Sequence, residues 1–121
     1  MIDLMVVHEA LKKSRTPEVR TDGEDSLISL LVHDIFGGEI LKTRNKRGWY
    51  FYNRIEGERI DFTGSEPRKL YEEKRFEDIP ATPDETHNYF EQEEYANFFM
   101  RFIWAFEEAV GLDKSQPDFT A

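Results

Sequence analysis

Cysteine and histidine, which many enzymes use as nucleophile and general base, are absent or rare in this sequence. The chain has no cysteine and three histidines, His8, His33 and His87, so thiol nucleophiles, thiolate metal sites and disulfides are excluded. Ser26 and His33 lie on one side of a predicted helix, but seven residues separate them by about 10.5 Å along its axis. A nucleophile and its base must approach within about 3 Å. A pair of Ser26 and His33 is therefore excluded, and His8 or His87 could reach Ser26 only through tertiary folding.

Polar side chains collect on one face of a predicted β-hairpin. Alternation predicts strands over residues 49–55 and 58–63, joined by a two-residue turn at Glu56 and Gly57. That turn would place Asn53 opposite Ile60, with every second residue on the same face. The polar face would then carry six candidate site and binding side chains: Tyr50, Tyr52, Arg54, Arg59, Asp61 and Thr63.

Two arginines of this face would stand directly opposite each other in the predicted register. The like charges of Arg54 and Arg59 would repel at that distance. Asp61 lies on the same face, and we expect it to be held by one of these two arginines, since a guanidinium binds a carboxylate strongly.

Two carboxylates are the leading candidates for acid, base or ligand chemistry. Asp25 lies at the start of a predicted helix, and its simplest role is to stabilise the helix dipole. Alternatively, Asp25 and Asp61 pair beside Tyr50 or Tyr52 and bind a cation or a polar ligand. Two carboxylates without a histidine ligand are a weak metal signal, so we predict no metal and no cofactor.

Apolar residues recur at helical spacing in three segments, which predict helices over residues 2–13, within residues 23–40 where Gly37 and Gly38 end the helix, and over about 92–110. Thr21 followed three residues later by Glu24 predicts a capping box at the start of the second helix. On the C-terminal helix, Met100 and Trp104 lie one turn apart and outside the main apolar stripe. They would cover the first helix or form a contact with a partner or a second copy.

The predicted hairpin belongs to a small sheet. Weak alternation over residues 39 to about 46 predicts a preceding strand. A helical turn is predicted within residues 65–75, and Thr82 with Pro83 can open a further helix. The chain is thus predicted to be α+β, with the N-terminal and central helices packed on a three-stranded antiparallel β-meander, and with a long C-terminal helix.

Length and composition predict one globular domain over residues 1–121. The chain is 39% hydrophobic and 14% aromatic, and no apolar run approaches the length of a membrane span. Its first residues are acidic and then basic, the reverse of a secretory signal. We therefore expect a cytoplasmic protein that does not associate with membranes.

Net charge limits the class of partner. With 25 acidic and 16 basic side chains the net charge is −9, which argues against direct binding to nucleic-acid phosphates. The simplest role of this charge is solubility. Alternatively, an acidic surface docks on a basic partner, such as a nucleic-acid-binding protein.

Three segments resemble a known family: GEDSLISLLVHDIFGGEI (23–40), WYFYNRI (49–55) and ERIDFT (58–63). In order and spacing they are similar to the YunG family of small uncharacterised bacterial proteins, whose pattern runs approximately GQCAVTALLVQDYFGGEI, GSHYWNRI and EIDLT. The resemblance covers residues 5–63 well and the rest loosely. It implies a compact α+β core like that of papain-type cysteine hydrolases, with a Cys at the helix start, a His on the next strand and an Asp one strand further.

The resemblance can be carried over residue by residue. It places the Cys position at Asp25, the His position at Tyr50 and the Asp position at Asp61, so only the third residue is retained. Aspartate is a weak nucleophile, and tyrosine, with an ordinary pKa of about 10, is a poor base at neutral pH. The Cys–His chemistry that the resemblance implies cannot operate in this chain.

Three hypotheses about function follow. The first is a catalytically inactive YunG-like protein that binds a protein or a small ligand, with Asp25, Tyr50 and Asp61 forming a vestigial site. The second is an enzyme with altered chemistry, in which Asp25 and Asp61 act as acid, base or metal ligands and Tyr50 as a proton donor. The third, resting on charge alone, is an acidic inhibitor or decoy of a nucleic-acid-binding protein.

Overall fold

A computed structural model describes residues 3–15, 24–46, 48–63, 67–70 and 75–111 of the chain. Its helices are α1 (Leu4–Ser14), α2 (Glu24–Phe36), α3 (Pro83–Thr86) and α4 (Gln92–Val110), and a 3₁₀ turn at His87–Tyr89 lies between the last two. The predicted N-terminal, central and C-terminal helices are confirmed to within two residues at each end. Thr21, one half of the predicted capping box, lies outside the described residues.

The starts of the two later helices follow capping chemistry. The Thr82 side chain accepts a hydrogen bond from the Glu85 amide, and Pro83 fills the first helical position of α3. This confirms the helix start predicted at Thr82. At α4, Glu91 and Glu94 form a capping box, each side chain accepting from the backbone amide of the other residue.

The sheet has five strands, so the prediction of three strands is wrong. They are β1 (Glu39–Asn45), β2 (Gly48–Ile55), β3 (Glu58–Asp61), β4 (Arg68–Lys69) and β5 (Ile79–Ala81), in the spatial order β4-β3-β2-β1-β5. The predicted meander forms the centre, and β4 and β5 flank it as antiparallel edge strands. They are two and three residues long, too short to show alternation. The helical turn predicted within residues 65–75 is also wrong where β4 lies.

The predicted register of β2 and β3 is confirmed at its three observed pairs: Asn53 with Ile60, Arg54 with Arg59, and Ile55 with Glu58. The connecting turn has φ values of 52° at Glu56 and 82° at Gly57. A two-residue hairpin turn requires such left-handed values at both positions. β3 ends at Asp61, two residues before the predicted end.

One face of the sheet is covered by α2. Phe51 of β2 packs with Ile40 of β1 and Leu30 of α2. The side-chain amide of Asn53 donates a hydrogen bond to the Ser29 carbonyl oxygen at 3.0 Å. Hydrophobic contact and a buried hydrogen bond therefore attach α2 to the same face of β2.

The opposite face of the sheet is closed by residues that follow β3 in the sequence. Tyr52 is 1% exposed and packs with Leu41 and Leu70. The ring of Phe76 meets Tyr52 edge-on at 5.4 Å, and Tyr50 stacks beside Tyr52 at 6.1 Å. β2 is thus covered on both faces.

The helices α1 and α4 extend the core on the α2 side. Phe98 and Phe102 of α4 are fully buried in one cluster with Leu11 of α1. Arg101 donates to the Ser14 carbonyl oxygen at 2.9 Å and so holds the end of α1. Within the described ranges, none of the helices combines the length and the apolar character that crossing a lipid bilayer requires.

The chain passes close to β2 at Gly38, and this contact can be tested. Gly37 and Gly38 have left-handed φ values of 81° and 82°, so alanine at either position is strained by about 1–2 kcal/mol. A Cβ at Gly38 would also lie 2.6 Å from the Arg54 carbonyl oxygen, whereas one at Gly37 meets nothing within 4 Å. We expect Gly38→Ala to lower the free energy of unfolding by at least about 1 kcal/mol more than its control Gly37→Ala. Urea denaturation measures both; equal losses would contradict this.

The β2–β3 turn offers a stabilising substitution. Glu56 holds φ at 52°, a conformation that asparagine adopts more readily than glutamate. We expect Glu56→Asn to raise the free energy of unfolding by about 1 kcal/mol, measured by urea denaturation. Glu56→Gln is the control, because it removes the charge and keeps the strain. A gain of the same size in Glu56→Gln would assign the effect to charge.

Candidate functional site

The Asp25 side chain fastens the first turn of α2 to β2. Its Oδ2 accepts a hydrogen bond from the Phe51 backbone N–H at 2.7 Å. The backbone N–H and C=O groups of Phe51 point to the β3 side of β2, as those of Asn53 and Ile55 do. Because β3 ends at Asp61, the carboxylate of Asp25 binds the amide that lies beyond the end of the β2–β3 ladder.

Burial raises the pKa of Asp25 above its ordinary value, because the half-buried carboxylate has lost part of its hydration. The backbone amides of Phe51, Asp25 and Ser26 lower the pKa, and the negative charge of Asp61 raises it further. Carboxylates with perturbed pKa values are enriched at functional sites. Asp25 is therefore a functional candidate as well as a structural residue.

Tyr50 and Asp61 meet on the opposite face of the sheet. The Tyr50 hydroxyl is in hydrogen-bonding contact with the side chains of Asp61 and Thr63. Burial first, and then the charge of Asp61, raise the pKa of Tyr50. A tyrosine with a raised pKa keeps its proton at neutral pH, so Tyr50 can donate a hydrogen bond but cannot act as a base there.

The buried carboxylate of Asp61 organises the chain at the end of β3. Its Oδ1 accepts hydrogen bonds from the Thr63 backbone N–H at 2.9 Å and from the Thr63 hydroxyl at 2.6 Å. Its Oδ2 accepts from the Arg68 guanidinium at 3.2 Å. The expectation that Arg54 or Arg59 holds Asp61 is wrong, because both arginines have other carboxylate partners.

Arg54 and Arg59 do stand opposite each other, and a separate carboxylate neutralises each one. Arg54 donates to both oxygens of Glu39 at 2.6 and 3.0 Å. Arg59 donates to both oxygens of Asp78 at 2.7 and 2.6 Å, and the Tyr52 hydroxyl donates to Asp78 at 2.7 Å. Three of the predicted binding side chains are therefore already paired within the protein.

Arg15, which the sequence did not single out, pairs with Glu24, which the sequence suggested only as part of a capping box and which directly precedes Asp25. Arg15 lies 2.9 Å from Glu24 in an ion pair, although its N–H does not point at the carboxylate. Arg15 also donates to the Phe62 carbonyl oxygen at 3.1 Å. Burial raises the pKa of Glu24, the charge of Arg15 lowers it, and the charges of Asp25 and Asp61 raise it. Glu24 and Asp25, two consecutive acidic residues at the start of a helix, were the feature of the sequence that could have predicted this group of charges.

Asp25 and Tyr50 have different hydrogen-bond partners, the Phe51 amide for Asp25 and the Asp61 and Thr63 side chains for Tyr50. α2 packs on the sheet face that carries Phe51, and consecutive strand residues point to opposite faces. The Tyr50 ring therefore lies with Tyr52 on the face away from α2. The structure joins Tyr50 to Asp61, while Asp25 binds the Phe51 amide and interacts with the charge of Asp61.

The structure also shows whether acidic and histidine side chains cluster, and how exposed Met100 and Trp104 are. In the ranges that the structure describes, no group of three His, Asp or Glu side chains converges as a metal-ligand set. Met100 is 51% exposed and Trp104 is 65% exposed. Both side chains are therefore open to solvent on the surface of α4.

The substitution Asp25→Asn distinguishes the effect of the hydrogen bond to the Phe51 amide from the effect of the negative charge. An Asn oxygen still accepts the Phe51 N–H, whereas Asp25→Ala leaves that amide without its acceptor, at a cost of about 1–3 kcal/mol. The folded protein binds the Asp25 proton more tightly than the unfolded chain does. This tighter proton binding stabilises the folded state. The stabilisation is present below the ordinary pKa of 3.8 and is lost as the pH rises through the raised pKa of the folded protein.

We therefore expect the free energy of unfolding of Asp25→Asn, relative to the wild type, to increase as the pH rises from about 4 to neutrality. Urea denaturation at several pH values measures this difference, with Asp25→Ala as the control for the lost hydrogen bond. A wild type that gains stability over Asp25→Asn with rising pH would show that the ionised carboxylate stabilises the fold.

Comparison with known proteins identifies the family. A model of the YunG protein family matches residues 7–105, a range that includes Asp25, Tyr50 and Asp61. The chain is 34% identical over 87 residues to a Bacillus subtilis (strain 168) protein described as "Uncharacterized protein YunG", and the alignment covers 72% of this chain and 73% of that protein. No solved structure matches. The chain therefore belongs to the YunG family.

Proposed function

We propose that this chain is a non-catalytic member of the YunG family and that it acts by binding a partner. In this proposal, Asp25, Tyr50 and Asp61 stand where a papain-like hydrolase would carry its Cys, His and Asp. The observation that supports it is that both side chains are engaged within the protein, Asp25 with the Phe51 amide and Tyr50 with Asp61.

Each of these contacts opposes catalysis at the site. A nucleophile and its base need to lie within about 3 Å of each other, and residues 25 and 50 point to different partners. Asp61 is also engaged, since Thr63 and Arg68 bind its two oxygens. Tyr50 has a raised pKa, so at neutral pH even less of it is in the tyrosinate form that could accept a proton than for an ordinary tyrosine.

The relation to papain-like hydrolases is part of the proposal. It is supported by the first turn of α2, which lies against β2 through Asp25. A thiol in a helix N-terminal turn would have a lowered pKa and enhanced reactivity. Retention of this scaffold without the Cys and the His is expected of a protein whose role no longer includes hydrolysis.

Hydrolysis assays with purified protein test the proposal. With ester and amide model substrates, from acidic to alkaline pH, we expect no turnover above the buffer blank for the wild type. Asp25→Asn is the matched control, because it keeps an acceptor for the Phe51 amide and removes the carboxylate. Turnover by the wild type that Asp25→Asn abolishes would overturn the proposal.

A second candidate, an enzyme that uses Asp25 as an acid, a base or a metal ligand, is favoured by one observation. Burial raises the pKa of Asp25 and so moves it toward the range in which general acids work at neutral pH. Thermal unfolding of the wild type and Asp25→Asn with added Mg²⁺, Ca²⁺, Mn²⁺ or Zn²⁺ separates the candidates. A metal-dependent stabilisation that Asp25→Asn lacks would favour this second function.

A further inference from the structure

The exposed side of α4 carries two large apolar side chains one turn apart. Met100 is 51% exposed and Trp104 is 65% exposed, while Phe98 and Phe102 of the same helix are buried. Residues four apart on a helix have neighbouring side chains, so Met100 and Trp104 form one apolar surface. Tryptophan and methionine are both enriched in the centres of protein interfaces.

Acidic side chains lie at both ends of this apolar pair. Glu93 precedes Met100 by seven residues and Glu107 follows it by seven, a spacing that puts all three on one side of the helix. Glu108 follows Trp104 by one turn. We call these five residues the α4 face. Across the described segments, no Lys or Arg lies within ion-pair distance of its three carboxylates.

The charge of the α4 face limits what can cover it. The phosphates of nucleic acids or of anionic membranes would be repelled by its carboxylates. A second copy that met it through the same helix would bring two acidic rims together. Arg101, the one basic residue of α4, already donates to the Ser14 carbonyl. An apolar surface with a basic rim is the complement that remains.

We propose that the α4 face docks a basic amphipathic helix of another protein. Met100 and Trp104 form the apolar centre of the contact, and Glu93, Glu107 and Glu108 pair with Lys or Arg of the partner. The face is about 22 Å long, so a helix of about four turns covers it. This inference rests on the binding role proposed above and supplies its partner class, without using the residues around Asp25.

A synthetic amphipathic helix is the probe. It is a capped peptide of about 15 residues, with leucines along one helical face and lysines along the other. The chain has two tryptophans, so Trp49→Phe leaves Trp104 as the only one, and its fluorescence then reports on the α4 face. We expect saturable binding that shifts the Trp104 emission to shorter wavelength, because the indole leaves water.

Calorimetric titration of the same peptide separates the apolar from the charged contribution. We expect Trp104→Ala to weaken binding at least about tenfold. The double variant Glu107→Gln with Glu108→Gln should bind about threefold or more weakly and show a smaller salt dependence. Glu56→Gln, which removes a like charge at the β2–β3 turn, is the matched control and should bind as the wild type does. Circular dichroism checks the fold of each variant.

Three results would overturn the proposal. The first is unchanged affinity in Trp104→Ala, and the second is equal affinity for a peptide with glutamates in place of its lysines. The third is a dimer of the protein alone in sedimentation equilibrium that Trp104→Ala dissociates, which would assign the α4 face to a second copy. None of these results concerns hydrolysis, whereas turnover that depends on Asp25 would overturn the non-catalytic role alone.

Discussion

The burial of β2 on both faces is the constraint on which the rest of the structure depends. Phe51 and Tyr52 are adjacent in sequence, yet they are 2% and 1% exposed. Adjacent residues of a strand point to opposite faces, so two separate layers must cover them. α2 covers the Phe51 face, and Leu70 with Phe76 covers the Tyr52 face. The orientation of every other β2 side chain follows from this alternation, including that of Tyr50 away from α2.

Covering β2 on both faces also requires hydrogen-bond partners for the polar groups beside it. The Asn53 amide donates to Ser29, the Tyr52 hydroxyl to Asp78, and the Phe51 N–H to Asp25. A buried polar group left without a partner costs about 1–3 kcal/mol. These bonds give Asp25 and Tyr52 structural roles, and the raised pKa of Asp25 reflects its burial between α2 and the sheet.

Elements with a local sequence signal could be predicted, and those without one could not. The apolar stripe of α4 and its glycine end predicted its bounds, and the two-residue turn at Glu56 and Gly57 predicted the β2–β3 register. β4 and β5 pair with residues distant in the chain and are too short to alternate. For the same reason Arg68 was missed as a partner of Asp61. Such pairings depend on which segments the fold brings together.

The sequence by itself determined that no thiol chemistry operates, that α2 begins at an acidic turn, and that Tyr50 and Asp61 share one face of a hairpin. Only the tertiary structure decided which face α2 covers, and hence that the Tyr50 ring lies on the face away from α2. The physical reason is that aromatic side chains occupy both faces of β2, so its pattern marks neither face as the side of the helix. The choice depends on Leu30 of α2 and on Leu70, which reach the strand only after the chain has folded.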